Sequence, residues 1–278
     1  MKIVMISQMV PYLPCYDGFR LIPANFLRLL SERHEYHLFA FTDGEDTEDQ
    51  LHWARRYCAT VTHIKPPVQR GILARATRLF EPFSFSGEAV AKFQAIDPDI
   101  LHLEGPHLAP LVQHAPDGCA TMISAHDSLS LRFSQFGGFA DSARDKLRFR
   151  LLGAVGKRME RRWYARADRV VVTSQVDAEW LRRLVPSAHI VAIPNGVEFE
   201  EREAERIAGR IVFTGNMSWF PNEDAAEYFS QQVFPLVRKE VPNAEFWIVG
   251  SSPSQRVREL GKMDGVTAPA RWVVWPIS

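Results

Sequence analysis

KIVMIS, at Lys2–Ser7, opens the chain with an apolar, β-branched run that is too short for a helix and long enough for a buried strand. The turn PYLPCYDG (Pro11–Gly18) follows. Next comes Phe19–Arg33, where Leu21, Ile22, Phe26, Leu29 and Leu30 share one helical face. Strand, turn and amphipathic helix form a unit that recurs outward along the chain. Glu35–Thr42 predicts a second strand, Asp46–Tyr57 a polar helix, and Ala59–Ile64 a third strand. Asp99–Glu104, Cys119–Ser124, Val170–Ser174 and His189–Ile193 are further strand candidates. Strands that alternate with helices need right-handed crossovers, which predicts an α/β doubly wound parallel sheet covered on both faces.

This first series ends at Pro194-Asn195-Gly196, residues that punctuate and turn a chain. The charged run Glu198–Glu205 reads as a solvated linker. A second α/β series then starts with Arg210–Thr214 and Gly215, followed by a helix over Asn222–Val241, a strand over Ala244–Val249 and a short helix over Gln255–Lys262. The expected domains are therefore 1–195 and 196–278.

The 278 residues carry 33 Lys+Arg against 33 Asp+Glu, and this balance gives no global argument for nucleic acid. Cys15, Cys58 and Cys119 are far apart and lack metal-ligand spacing, as expected of reduced thiols in a cytoplasmic protein. The run before Cys15 is too short for a signal core, and no apolar stretch reaches about 18 residues. In open α/β sheets, ligands sit beyond the carboxyl ends of the strands. That rule points to Ser7–Gly18, Glu104–His107, His126–Asp127 and Ser174–Gln175.

Five features, in this order and spacing, resemble the family-4 glycosyltransferases of GT-B fold. They are the turn Pro11-Tyr12-Leu13-Pro14 through Asp17-Gly18, the strand end Ile123-Ser124-Ala125-His126-Asp127, the stretch ERRWYARADRVVVTS with Glu160, Ala167-Asp168 and Ser174, the crossing segment Ile193–Val197, and Phe213–Met217 with Pro221-Asn222. The wording is similar to the subgroup active in bacterial exopolysaccharide assembly, including sugar transferases that accompany exosortase systems. The resemblance implies one complete acceptor-side domain followed by an incomplete donor-side domain. It implies transfer of a sugar, with retention, from a nucleotide-diphosphate sugar to a saccharide or lipid-linked acceptor, with no cofactor and no metal. The first strand is not followed by G-x-G-x-x-G, which argues against a dehydrogenase.

Negative charge builds on the departing diphosphate, so amides, helix N-termini or cations are expected there. Asp17 and Gly18 lead into the first helix, with Arg20 as a nearby cation; the turn is either a phosphate or acceptor site or an ordinary β–α turn. By resemblance His126 occupies the position of the family's sugar-contacting histidine, and Asp127 either orients it or caps the next helix. Glu104 and His107 end another strand, where Glu104 is placed to accept from an acceptor hydroxyl or to serve in turn packing. Gly215 and Asn216 are expected on the donor side, the glycine permitting either approach of the diphosphate or close strand–helix packing. Leu147, Leu151, Val155, Met159 and Trp163 recur every fourth residue inside the basic stretch 144–169. That stretch is either an interfacial helix for an anionic membrane surface or a core helix with a solvated basic face.

Two departures stand beside the resemblance. The Arg and Lys usual after the second domain's first strand are replaced by GNMSWFPN (Gly215–Asn222), and the family's glutamates eight positions apart are absent after Asn195. The ending Thr267–Ser278 departs from the family pattern, which leads to the expectation of a frameshifted or truncated tail, or else a last strand at Trp272–Ile277. Weak donor binding is then expected. Two alternatives remain: a non-catalytic binding module, and a nucleotide-sugar epimerase of the same shape.

Overall fold

The computed structural model describes residues 1–15, 18–41, 47–64, 87–140, 142–197 and 207–268. The chain divides into two compact units, 1–197 and 198–278. The expected linker at 198–205, Asp17 and the tail from 269 onward lie outside the described residues.

In the first unit, β1 (Lys2–Ser7), β2 (Glu35–Phe41), β3 (Thr60–Ile64), β4 (Ile100–Glu104), β5 (Ala120–His126), β6 (Arg169–Val172) and β7 (Ile190–Ala192) form one sheet in the order 3-2-1-4-5-6-7. Every pairing is parallel. The described helices of this unit are α1 (Gly18–Leu30), α2 (Glu48–Arg55), α3 (Gly87–Gln94), α4 (Leu129–Phe139), α5 (Ala143–Trp163) and α6 (Gln175–Leu184), with 3₁₀ helices over Pro106–His114 and Tyr164–Arg166. The strand order reverses between β1 and β4, and such a switch point opens a crevice at the strands' carboxyl ends.

The two sheet faces differ in chemistry. On one, Val4, Ile6, Leu101, Leu103, Ile123 and Ala125 join a continuous apolar core with Phe39, Phe93, Leu108 and Trp163. On the other, Ile3, Met5, Leu38 and Ala40 pack with Leu27 and Leu51. The centre of that second face is polar. Parallel register aligns Ser7 with Glu104 and Glu104 with Ser124, and His102 lies two residues before Glu104; all four side chains are buried. Side chains in a strand alternate between faces, so one row of polar groups is buried behind an uninterrupted apolar row.

The second unit has a parallel sheet in the order β10-β9-β8, with β8 at Arg210–Asn216, β9 at Glu245–Ser251 and β10 at Val266–Thr267. The single helix expected over Asn222–Val241 is instead α7 (Phe220–Tyr228), a π-helical turn (Phe229–Val233) and α8 (Phe234–Glu240), with α9 (Gln255–Leu260) later. Pro235 explains the interruption: it has no N–H to donate, and its ring crowds the preceding turn.

Helix α5 corrects the expected apolar stripe. Gly153, Gly156, Met159, Glu160 and Trp163 are buried, whereas Leu147 is 58% and Leu151 59% exposed. A step of four residues overshoots one turn by about 40°, so four steps carry the row about 160° around the helix. Leu147 and Trp163 therefore cannot share a face.

Candidate functional site

The site forms where β1, β4 and β5 end. β5 runs two residues beyond Ser124, and its pairing with β6 slips between Ser124 and His126. His126 takes up the slip with φ 63°, a left-handed conformation that costs a non-glycine residue about 1 kcal/mol or more. Its carbonyl accepts from Thr173 N at 2.8 Å and Thr173 Oγ1 at 2.9 Å, which holds the strained residue in place. Phe19 of α1 meets the His126 ring edge-on at 5.8 Å.

Beneath His126 lies Glu104. Its side chain is 1% exposed, with Oε1 3.3 Å from His126 Nε2 and Oε2 2.8 Å from His102 Nε2. His102 Nε2 is also 2.8 Å from Ser124 Oγ, in hydrogen-bond geometry. The two imidazole–carboxylate contacts are close but off the hydrogen-bond line, and neither carboxylate oxygen has an aligned donor among the described residues. Burial alone would push the Glu104 carboxyl up; His102 and then His126 outweigh it and bring it down to about 2. Glu104 thus stays ionised. It presents no open surface for an acceptor hydroxyl, so any contact with substrate has to pass through a neighbour.

Gly105 follows with φ 123°, and a Cβ there would run into the Gln8 amide. This glycine is required by both conformation and space. His107, in the 3₁₀ helix, is driven down to about 4 by burial and then by the Arg132 charge, and among the described residues its buried Nδ1 has no hydrogen-bond partner. It is therefore neutral at neutral pH. Asp127 pairs with Arg132 at 2.9 Å. The cap of α4 is not Asp127 but Ser128, whose Oγ accepts from Leu131 N at 3.2 Å. Among the described contacts, the carboxylate at His126 Nε2 is Glu104, whereas Asp127 faces Arg132. Arg20 lies over the Tyr12 ring at 5.8 Å. Gly18 begins α1, and a Cβ there would meet nothing within 4 Å.

In the second unit, the Gly215 Cβ position is filled by Asn222, whose Nδ2 would lie 2.7 Å away. Asn222 Nδ2 donates to Asn216 O at 3.0 Å, and Asn216 Oδ1 accepts from Ser218 N at 3.0 Å and Ser218 Oγ at 2.8 Å. Close packing at this turn accounts for the glycine. Among the described residues, no group of three or more His, Cys, Asp or Glu side chains is arranged to hold a metal ion.

The model of Glycosyltransferase Family 4 matches residues 24–201, more than half of the chain. The chain belongs to glycosyltransferase family 4. Among solved structures, this family-4 chain is similar to TarM (TM-score 0.62, 9% identity, covering 96% of this chain and 76% of TarM). It is also similar to the lipopolysaccharide outer core galactosyltransferase WaaB in its apo form (TM-score 0.55, 14% identity, covering 96% and 67%). A third similar structure is a mutant of S. aureus TarM in complex with Fondaparinux, alpha-GlcNAc-glycerol and UDP (TM-score 0.60, 10% identity, covering 95% and 76%). At these identities the likeness establishes the GT-B-like architecture. A search of curated proteins gives no match.

The family-4 chain holds one further polar cluster. Glu160, fully buried on α5, accepts from Ser128 Oγ at 2.9 Å and Ser130 N at 3.2 Å. Ser130 Oγ accepts from Trp180 Nε1 at 2.8 Å, so the cluster ties α4, α5 and α6 together. Among the described residues, no helix is long and apolar enough to cross a membrane. His102 was not among the expected site residues, although its signal is legible in DILHLE: His102 and Glu104 at strand spacing within an otherwise buried strand.

Proposed function

We propose that this chain transfers a sugar, with retention, from a nucleotide-diphosphate sugar to a hydroxyl of a saccharide or lipid-linked acceptor, in the assembly of an exopolysaccharide. One observation carries this proposal. In a chain of glycosyltransferase family 4, His126 is held in a strained conformation at the carboxyl end of β5, beside the switch point of the sheet. Strain of this kind collects where a side chain has to be aimed. His126 then meets a sugar hydroxyl, and the open space over Gly18 at the start of α1 suits a phosphate or acceptor group. In this reading residues 1–197 take the acceptor and residues 198–278 the nucleotide; Gly215 and Asn216 shape the donor-side turn.

The similar structures point the same way. One structure carries UDP, and WaaB is described as a lipopolysaccharide galactosyltransferase. The N-terminal half of α5 supports a lipid-linked acceptor. Leu147 and Leu151 stand exposed among Arg144, Lys146, Arg148 and Arg150, the pattern of a helix that lies on an anionic surface. We therefore place the enzyme at the cytoplasmic face of a membrane.

The test is a screen of nucleotide-diphosphate sugars, with saccharide and lipid-linked acceptors, for release of nucleoside diphosphate and glycosylated product. Product NMR reads the anomeric configuration. Transfer with retention that falls at least 100-fold in His126→Ala is the expected result. Sugar interconversion without an acceptor would replace the proposal with an epimerase. Saccharide binding without turnover of any donor would replace it with a binding module.

A further inference from the structure

The buried carboxylate of Glu104 calls for an explanation beyond folding. Taking a carboxylate out of water costs several kcal/mol, and an apolar residue fills a sheet centre more cheaply. The opposite face shows that alternative one residue earlier, where Leu103 of β4 and Ile123 of β5 are fully buried. On its own face, Glu104 has two imidazoles within 3.3 Å. They are not equivalent. His102 Nε2 already has an aligned partner in Ser124 Oγ at 2.8 Å. That leaves Glu104 Oε1 facing the buried Nε2 edge of His126. A carboxylate is an acceptor only, so the proton of a neutral His126 ring belongs at Nε2, where it can be donated. His126 is also the member of the cluster that reaches the surface, with 17% of its side chain exposed against 2% for His102 and 1% for Glu104.

We propose that Glu104 is a positioning residue for His126: its negative charge, 3.3 Å from Nε2, favours the ring proton at that edge, so that Nδ1, with its lone pair, is the atom a substrate meets. This rests on the assignment of His126 to the sugar-binding site and adds the direction of the hydrogen bond. His126 presents an acceptor, so the substrate group opposite it has to be a hydroxyl that donates. The backbone prepares the arrangement from both sides. The left-handed φ of His126 turns the ring over β4, and Thr173 fixes the carbonyl behind it. Gly105 lets the chain leave β4 immediately after the carboxylate, with Gln8 packed into the space that a side chain would take. Supporting partners of this type, which set the tautomer and orientation of a working histidine, typically account for 10- to 100-fold of function.

The test combines two readouts on the full chain. Ring ¹⁵N NMR of His126 should show the neutral Nε2–H tautomer in the native protein and in Glu104→Gln, whose amide oxygen can still accept. A mixture of tautomers is expected in Glu104→Met, which keeps the size and loses the acceptor. In the transfer assay, Glu104→Gln should lower kcat about 10-fold and Glu104→Met about 100-fold, each with KM for the donor changed less than about threefold. In a His126→Ala background, Glu104→Met should cost less than about twofold more, because a residue that acts through another has nothing left to act on. If Glu104→Met fails to fold, the same cycle is run with Glu104→Gln. An Nδ1–H tautomer in the native protein overturns the proposal, and so does an undiminished Glu104 effect without His126. The NMR result stands even if no donor is turned over, so failure of the positioning role is distinguishable from failure of the sugar-transfer assignment.

Discussion

Glu104 and Glu160 are two carboxylates buried in one domain, and their environments push them in opposite directions. Glu104 is surrounded by imidazoles and is brought down to about 2; Glu160 meets hydroxyls and one backbone N–H, and burial leaves its carboxyl raised. Desolvation opposes ionisation in both, so the difference comes from the partners. From α5 the Glu160 carboxylate reaches the N-terminus of α4, where its Oε1 accepts from Ser130 N and Ser128 Oγ. Glu104 has fewer aligned bonds but touches a histidine that opens to the surface. A buried acid with many fixed donors is a structural tie. A buried acid beneath a strained, partly exposed imidazole is part of a site.

The comparison is broken most directly by removing the Glu160 carboxylate. Glu160→Met leaves Ser130 N–H and the Ser128 hydroxyl without their acceptor, at about 1–3 kcal/mol for each group left unpaired. We expect about 3 kcal/mol lost in urea unfolding. In Glu160→Gln the amide oxygen still accepts, and the loss stays within about 1 kcal/mol. If the two variants are equally destabilised, the charge rather than the hydrogen bonding of Glu160 matters, and the contrast with Glu104 disappears.

Acid titration separates the two groups by sign. Glu104 is depressed in the folded chain, so its contribution is fully present above its ordinary value of 4.5 and is lost as pH falls through about 2. Glu160 is raised, so it penalises the fold above 4.5, and the penalty is relieved as pH falls through its folded value. Stability measured from pH 6 to pH 2 should therefore fall less steeply in Glu104→Gln and more steeply in Glu160→Gln. The expected difference is on the order of 2 kcal/mol. Parallel curves for the two variants would overturn the assignment of opposite shifts.

Glu160 reaches α4 only because α5 approaches closely. A Cβ on Gly156 would lie 3.0 Å from Ser130 N and 3.2 Å from Ser130 Cα, both backbone atoms. Gly156→Ala should cost about 1–2 kcal/mol, the usual penalty of a small overpacking. Trp180 fluorescence should change with it, because Trp180 Nε1 donates to Ser130 Oγ. A neutral effect would mean that α5 can retreat without disturbing the cluster.

The sheet was legible in the chain because it depends on local period. Short apolar runs such as KIVMIS and EYHLFAF match strands to within a residue or two. Interruptions set by packing were less visible. The helix over Asn222–Val241 breaks before Pro235, the row from Leu147 to Trp163 winds off its face, and the two prolines of PHLAPLVQH sit inside a 3₁₀ helix. At the site, His126 and Glu104 were readable as strand-end residues. Their relation was not. It depends on the slip between β5 and β6, on the register of β4 with β5, and on His102 two residues before Glu104. Of these, only the His102–Glu104 spacing has a signature in one linear sequence.

The smallest expected effect on stability concerns Gly18, and it contrasts with the glycines that packing requires. Gly105, with its φ of 123°, and Gly156, against the backbone of Ser130, have no room for a methyl group. Gly18 has open space around its Cβ position and no left-handed backbone, so the fold makes no demand for glycine there. Gly18→Ala should leave stability within about 0.5 kcal/mol, or raise it slightly through the better helix propensity of alanine. A substrate that comes within contact of the first turn of α1 would nevertheless meet the new methyl, and donor or acceptor KM should rise about threefold or more. If stability and kinetics are both unchanged, no substrate group approaches α1 at this point, and the binding surface is confined to the ends of β4 and β5 around His126.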